Sequence, residues 1–216
     1  MRLVIFDVDG TLVDSQALIV GCMNDAMGAA GLPALPREEV LSIVGLSLEI
    51  AIARLLPGAD AATVGQVADG YRLAYHKRRL ADEAPLYEGA RDCLDLLAGR
   101  DDLLLGIATG KSRRGLDGLI ATHGLEGRFV TLQTADFHPS KPNPAMIEAA
   151  LSETGTAPGD AVMIGDTLFD MEMAANAGIA RIGVAWGYHA ATDLAAAGAP
   201  VARDFAELTR MIKDWA

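Results

Sequence analysis

Two carboxylates, Asp7 and Asp9, lie two residues apart directly after a short apolar run at residues 3–6. Residues two apart in an extended chain point to the same side. In a buried cleft their mutual repulsion would be costly without a cation, and Gly10 permits a tight turn away from them. The alternative is an acidic surface turn, since Asp-Gly is common in turns. The buried run that leads into the pair favours a cation site.

A second pair of acids, Asp166 and Asp170, follows the apolar run at residues 161–164. Residues four apart share a face if a helix begins there. Carboxylate oxygens suit Mg²⁺, which takes one or two carboxylates together with phosphate oxygens and water. The alternative is a pair of acids that favours a helix N-terminus. That alternative explains Asp170 better than Asp166.

Two further segments offer groups that suit an anion. Thr109 and Gly110 follow the apolar run at residues 103–108, and Ser112 is placed to cap a helix. A hydroxyl, a glycine amide and a helix N-terminus make a small anion site, although an ordinary strand-to-helix turn is an equal alternative. Lys141 lies in a proline-stiffened loop that fixes where its ammonium projects. Taken alone, a solvated surface lysine would be the better interpretation.

The elements that must position these residues are short apolar strands separated by helical patterns. Besides the runs above, the sequence predicts strands at 129–132 and 179–185. Alternating strands and helices predict an α/β fold, a doubly wound parallel-sheet core. Ligands bind at the carboxyl ends of the strands in such sheets. All four chemical segments lie at those ends.

The stretch from residue 15 to residue 84 breaks this alternation. It predicts helices at 15–30, 37–44, 48–56 and 61–80 and no strand. We therefore expect an α/β catalytic core from residues 1–14 and 85–216, and an inserted all-helical cap, or lid, from residues 15–84.

Composition excludes several kinds of partner. The chain has 216 residues and a formal net charge of −11, which disfavours nucleic acid and anionic membranes. No apolar segment approaches the length of a membrane span. Cys22 and Cys93 have no metal-binding spacing and are expected to be reduced, buried thiols. We expect a cytoplasmic protein that is a monomer or a homodimer.

The four segments together resemble the haloacid dehalogenase-like superfamily, in the branch with a helical cap inserted after the first strand. The Asp7-Val8-Asp9-Gly10-Thr11 motif with a matching Gly165-Asp166-x-x-x-Asp170 is the specific part. Softer similarities point to phosphoglycolate phosphatase-like proteins: Gly45-Leu46-Ser47-Leu48, Tyr87-Glu88-Gly89 and Trp186-Gly187-Tyr188.

The resemblance implies a catalytic role for each acid of the first motif. Asp7 corresponds to a nucleophile that attacks phosphorus and forms an aspartyl-phosphate. Asp9 corresponds to the general acid/base, whose backbone carbonyl also binds Mg²⁺. Dehalogenases of this family lack an acid at the position of Asp9, so dehalogenation is disfavoured.

The remaining segments carry binding roles by the same resemblance. Thr109 and Gly110 correspond to the phosphate-holding groups, and Lys141 to the lysine that neutralises nucleophile and phosphate. Asp166 corresponds to the direct Mg²⁺ ligand, and Asp170 to a supporting acid.

The implied activity is Mg²⁺-dependent hydrolysis of a small phosphorylated metabolite, with 2-phosphoglycolate as the best single guess. Two alternatives stay open. One is a phosphomutase of the same fold, similar to β-phosphoglucomutase; the other is a phospho-Asp signalling module without turnover. The basic run at residues 75–79 could meet an anionic substrate, although an exposed helix face is the better interpretation.

Overall fold

A six-stranded parallel sheet forms the centre of the molecule in the computed structural model, which describes residues 1–81 and 84–216. The strand order is β3-β2-β1-β4-β5-β6. The strands are β1 (Arg2–Phe6), β2 (Leu103–Thr109), β3 (Thr131–Thr134), β4 (Ala161–Gly165), β5 (Ala180–Val184) and β6 (Val201–Ala202). The predicted α/β parallel-sheet fold is confirmed.

Helices cover both faces of this sheet. They are α5 (Ala90–Ala98), α6 (Arg113–His123), α7 (Ala145–Thr154), α8 (Leu168–Asn176), α9 (Ala191–Ala196) and α10 (Phe205–Trp215). Val4 and Phe6 of β1 pack into the apolar cluster that includes α5, α6 and α10, whereas Leu3 and Ile5 pack with α7 and α8. Because alternate side chains of a strand point to opposite faces, a strand that is covered on both sides must be apolar throughout.

Two strands differ from the sequence pattern, β3 because it is polar and β6 because it is short. The third strand was expected at 129–132 but occupies Thr131–Thr134, because Gln133 and Thr131 are buried and satisfied rather than exposed. The amide of Gln133 donates to the Thr131 hydroxyl at 2.7 Å and to Glu153 at 2.8 Å. The edge strand β6 has two residues and was not predicted. Helix α7 begins at Ala145, whose amide donates to the side-chain oxygen of Asn143 at 3.0 Å.

Four helices separate β1 from the rest of the sheet: α1 (Gln16–Ala29), α2 (Arg37–Leu41), α3 (Leu48–Leu55) and α4 (Ala61–Ala81). They pack around an apolar cluster that includes Met23, Met27 and Ile52, together with Phe169 of core helix α8. The two connections to the sheet run side by side, where the Asp14 amide donates to the Pro85 carbonyl at 2.9 Å. The Tyr87 amide likewise donates to the Leu12 carbonyl at 3.0 Å. We call residues 15–84 the cap and the remainder the core; that they are separate domains remains a prediction, and Asp82 and Glu83 lie outside the described residues.

Candidate active site

The sheet order brings the predicted site residues to one edge. Strand β1 lies between β2 and β4, and all three run in the same direction. Asp7 follows the end of β1, Thr109 is the last residue of β2, and Asp166 follows the end of β4. The chain runs outward from β1 to β2 and β3, then crosses back to β4 on the other side of β1 and continues to β5 and β6. The direction of strand addition therefore reverses at β1. Such switch points are where open α/β sheets form ligand crevices.

Asp7 and Lys141 form a buried ion pair at the centre of this crevice. The Lys141 ammonium lies 3.0 Å from Asp7 Oδ2 and donates to Asp170 Oδ1 at 2.6 Å. All three side chains are almost fully buried. Burial opposes a charge on Lys141, but the carboxylates of Asp170 and Asp7 raise the pKa of its ammonium above the ordinary value. Lys141 is therefore a fixed cation rather than the solvated surface lysine that its sequence alone would suggest.

Asp170 is held in place by the first turn of α8. Its Oδ2 accepts hydrogen bonds from the Thr167 amide at 3.0 Å and from the Thr167 hydroxyl at 2.7 Å. The Thr167 hydroxyl and the Asp170 amide complete a capping box. Asp170 thus both favours the helix N-terminus, as one interpretation of the sequence had it, and fixes the ammonium of Lys141.

Asp166 is oriented by two donors from different segments. The Thr11 hydroxyl donates to Oδ1 at 2.8 Å, and the Tyr188 amide donates to Oδ2 at 2.9 Å. Burial raises the pKa of Asp166 well above the usual value, and the charges of Asp170 and Asp7 raise it further. A buried acid with two acidic neighbours is costly to ionise unless a cation is bound.

Asp7, Asp166 and Asp170 fit a divalent metal ion. They offer carboxylate oxygens that all lie within 4.8 Å of one another. Burial raises the pKa of Asp7 to about 7, although the ammonium of Lys141 lowers it. Neither carboxylate oxygen of Asp7 receives a well-aligned hydrogen bond from the described residues, beyond the ion-pair contact with Lys141. Buried carboxylate oxygens without hydrogen-bond donors are expected where a residue binds a metal ion or a substrate.

Asp9 lies beside this cluster and is held by two different partners. Its Oδ1 accepts a hydrogen bond from the Ser15 hydroxyl at 2.7 Å, and its Oδ2 lies 2.9 Å from the ammonium of Lys111. Lys111 also donates to the hydroxyl of Tyr75, in cap helix α4, at 3.0 Å. Burial opposes a charge on Lys111, but Asp9 and the tyrosines Tyr75 and Tyr71 raise the pKa of its ammonium above the ordinary value.

Lys111 is the site residue that sequence reasoning missed. The sequence pattern assigned no role to it. Its signal would have been that it directly follows Thr109 and Gly110 at a strand's carboxyl end. Tyr75 and His76 line the same cavity as Lys111, whereas Arg78 from the same basic run pairs with Asp25 on the surface. The Arg79 side chain lies outside the described residues.

The segment from Thr109 to Ser112, at the end of β2, has the helix cap that the sequence predicts. Ser112 caps α6 by accepting a hydrogen bond from the Gly115 amide at 3.2 Å. Thr109 is buried, and its hydroxyl accepts from the Lys111 amide at 3.3 Å. The backbone of the cap loop at Gly45 and Leu46 approaches Gly110 so closely that a Cβ there would lie 2.6–2.7 Å from two carbonyl oxygens.

A cavity of about 320 Å³ separates the cap from the carboxyl ends of β1 and β2. Asp7, Asp9, Thr109, Gly110 and Lys111 line its core side. The cap contributes mainly apolar and aromatic side chains from α1, α3, α4 and the loop before α3. The seven predicted site residues are thus brought together, four on the cavity wall and Lys141, Asp166 and Asp170 in the network around Asp7. His138 contacts Gln133 at 2.7 Å.

No helix in the described part of the chain combines the length and the apolar character that crossing a membrane requires.

Comparison with known proteins identifies the family. Residues 4–184 match the model of the haloacid dehalogenase-like hydrolase family. A probable phosphatase of Dickeya dadantii, IndB, is 36% identical over 201 residues, which cover 90% of this chain and 86% of the relative. A phosphoglycolate phosphatase of Haemophilus influenzae is 29% identical, with 87% of each chain covered.

Solved structures agree with this assignment. A haloacid dehalogenase-like family hydrolase from Streptococcus pneumoniae superposes with a TM-score of 0.86, at 25% identity and over 98% of each chain. The chain therefore belongs to the haloacid dehalogenase-like hydrolase family, as its motifs predicted. Its relatives make it an enzyme of the phosphatase group within that family.

Proposed function

We propose that this protein hydrolyses a small-molecule phosphate monoester in a Mg²⁺-dependent reaction that passes through a phosphorylated Asp7. The observation that carries the proposal is the state of Asp7. It is buried, lines the cavity, and has carboxylate oxygens with spare lone pairs beside a fixed ammonium.

In the first step, a lone pair of the Asp7 carboxylate attacks phosphorus, and the bond from phosphorus to the alcohol oxygen breaks. Lys141 offsets the repulsion between this carboxylate and the phosphate dianion, and Thr109 with the Gly110 amide is placed to hold the phosphoryl oxygens. Covalent capture on Asp7 divides one difficult displacement into two easier ones.

Asp9 would move the protons of both steps. It lines the cavity two residues from Asp7, and Ser15 and Lys111 fix its two oxygens. In its protonated form Asp9 would give its proton to the leaving alkoxide, and the resulting carboxylate would then take a proton from the water that attacks the aspartyl-phosphate, which restores the acid. Positioned acid/base groups contribute roughly 10²–10⁴-fold to such reactions.

Asp7, Asp166 and Asp170 are the residues that would hold Mg²⁺, together with the Asp9 backbone carbonyl. When bound, Mg²⁺ would neutralise charge on the transferring phosphoryl group. The cap closes over the cavity and would exclude bulk water during transfer. An enclosed cavity favours a small, diffusible substrate. A cytoplasmic location and a monomeric or homodimeric state remain predictions.

Mg²⁺-dependent phosphate release from a panel of small monoesters that includes 2-phosphoglycolate would test this proposal. We expect turnover in the wild type, a loss of roughly 10⁴-fold or more for Asp7→Asn, and a loss of 10²–10⁴-fold for Asp9→Asn. Arg210→Gln, on the exposed side of α10, is the control and should retain activity. Turnover by Asp7→Asn at the wild-type rate would refute the covalent mechanism.

Two other outcomes would assign a different function. Dependence on a bisphosphate activator, with little net phosphate release, would indicate a phosphomutase. A long-lived phospho-Asp7 without released phosphate would indicate a signalling module.

A further inference from the structure

The cap side of the cavity is mainly a wall of buried apolar side chains. Ile19 and Met23 of α1, together with Ile43 and Leu46 of the loop between α2 and α3, line it and are each less than a tenth exposed. Tyr71 and Tyr75 of α4 complete the wall, with ring centroids 6.0 Å apart in a stacked arrangement. Packing an apolar part of a ligand against such a wall is favourable, because it removes apolar surface from water.

The cations that line the cavity are already paired or lie at its rim. Lys111 pairs with Asp9. Arg72 pairs with Glu49 and with Asp69, and its side chain is 52% exposed. Arg114 is exposed at the start of α6. Among the described lining residues, therefore, the apolar wall offers no buried, unpaired cation for a second anionic group on the substrate.

The Tyr71 hydroxyl adds a polar group to the apolar part of this wall, besides Ser47, Glu49, Arg72 and His76, which also line the cavity. The Tyr71 hydroxyl makes no hydrogen bond with the described residues, and burial raises its pKa well above the ordinary value, so it stays a neutral donor. It suits a neutral hydroxyl or carbonyl oxygen. The volume of about 320 Å³ falls in the range of pockets that enclose drug-sized ligands, and it exceeds what a phosphoryl group with a two-carbon acid requires.

We propose that the alcohol portion of the substrate is uncharged and carries an apolar group of about the size of a six-membered ring, which packs against Tyr71, Met23 and Ile43. This inference rests on the proposed function and narrows its substrate class. It disfavours 2-phosphoglycolate, because a carboxylate buried against this wall would lose its water without gaining a cation.

Three esters of primary alcohols test the proposal with the Mg²⁺-loaded enzyme: ethyl phosphate, 2-phenylethyl phosphate and 2-phosphoglycolate. The first two differ by a phenyl group, and the third replaces a methyl group by a carboxylate. We expect kcat/KM for the phenylethyl ester to exceed that for the ethyl ester by about 10–100-fold. We expect 2-phosphoglycolate to be no better than ethyl phosphate.

The possible failures are distinguishable. A preference for 2-phosphoglycolate, or equal rates for all three esters, would overturn the inference while leaving the proposed function intact. Hydrolysis of none of the three, nor of any other small monoester, would overturn both.

Variants in the wall add a second test. Tyr71→Ala should lower the ratio of kcat/KM for the phenylethyl ester to that for the ethyl ester by about tenfold. Leu73→Ala, on the same helix but 56% exposed and away from the cavity, should leave that ratio unchanged. Leu48→Arg, at a half-buried wall position, should instead raise the relative kcat/KM for 2-phosphoglycolate. An unchanged ester ratio in Tyr71→Ala would contradict the proposed packing.

Discussion

At the scale of single residues, the acidic side chains of the site are held in fixed orientations by their neighbours. Asp9 accepts from Ser15 at one oxygen and faces Lys111 at the other. Asp166 is fixed in the same way by Thr11 and the Tyr188 amide. Groups that are held in place before substrate arrives need little reorganisation in the transition state.

Lys111→Met tests whether this lysine positions Asp9. The substitution removes the ammonium that lies 2.9 Å from Asp9 and leaves a side chain of similar length. We expect kcat to fall by roughly 10–100-fold, because small displacements of a catalytic group have effects of this order. KM should change less than kcat, as steady-state kinetics on a good substrate can establish.

Two controls accompany this variant. Lys213→Met, on α10, should behave as the wild type, and Lys111→Arg should recover part of the activity because it retains the charge. A loss confined to KM would contradict the positioning role and would indicate that Lys111 binds substrate directly.

The three buried carboxylates predict that metal binding stabilises the fold. Lys141 pairs with Asp7 and Asp170, but one ammonium does not balance the three carboxylates of Asp7, Asp166 and Asp170, which still repel one another. Mg²⁺ at ten times its Kd should therefore raise the Tm by about 3–6 °C, as measured by differential scanning calorimetry. Asp166→Asn should lose this increase, whereas Asp160→Asn, at an exposed position, should retain it. A Tm that does not respond to Mg²⁺ in the wild type would rule out a metal site in this cluster.

At the scale of elements, the contact between the cap loop and the end of β2 depends on the absence of a side chain. A Cβ at Gly110 would meet the carbonyl oxygens of Gly45 and Leu46 at 2.6 and 2.7 Å. Both are backbone atoms, which cannot rotate away as a flexible side chain can. The closed arrangement of the cap therefore requires glycine at this position.

Gly110→Ala should hold the cap away from the core. We expect kcat/KM to fall by about tenfold or more, because an open cap admits water and separates Tyr75 from Lys111. The free energy of unfolding should change little by comparison, since the core strands are not disturbed. Steady-state kinetics together with urea unfolding would measure both quantities.

Gly65→Ala is the matched control within the cap. Gly65 lies inside α4, and nothing lies within 4 Å of a Cβ built there. Alanine should stabilise the helix by about 0.5–1 kcal/mol and leave kcat/KM unchanged. Full activity in Gly110→Ala would show that the close approach of the cap loop is not needed for turnover.

At the scale of the whole molecule, the reactivity of one cysteine can be used to follow unfolding of the cap, and that of the other to follow unfolding of the core. Cys22 lies in cap helix α1, and Cys93 lies in core helix α5. Both are buried. Burial raises the pKa of Cys22 to about 11 and raises the pKa of Cys93 as well. Since the thiolate is the reactive form, the Cys22 thiol should react at pH 8 roughly 100-fold or more slowly in the native protein than in the unfolded chain. The Cys93 thiol should also react more slowly in the native protein.

Labelling through a urea titration would then test the division into cap and core. Each thiol is followed in the variant in which the other cysteine is serine. We expect Cys22 to become reactive at a lower urea concentration than Cys93, because the cap cluster is smaller and is joined to the core by two short connections. Coincident transitions would instead mean that the chain unfolds as one cooperative unit.

The sequence by itself determined the parts of this protein that depend on neighbouring residues. Apolar runs that end in Asp7, Thr109 and Asp166 predicted both the buried strands and the edge at which the site lies. This worked because a parallel strand that is covered on both faces must be apolar until the point where it meets the ligand crevice. The inserted helices could be predicted equally well, since their hydrophobic periodicity and the Gly and Pro residues between them are local features of the sequence.

Only the tertiary structure decided what the cap contributes. Tyr75 meets Lys111 across 36 residues of chain, and the Gly45–Leu46 backbone meets Gly110 across an even longer stretch. The polar strand β3 was misplaced for a related reason: Gln133 is satisfied by Glu153, twenty residues away. These contacts arise when preformed elements dock against each other, so their partners are set by three-dimensional packing and leave no fixed spacing in the sequence.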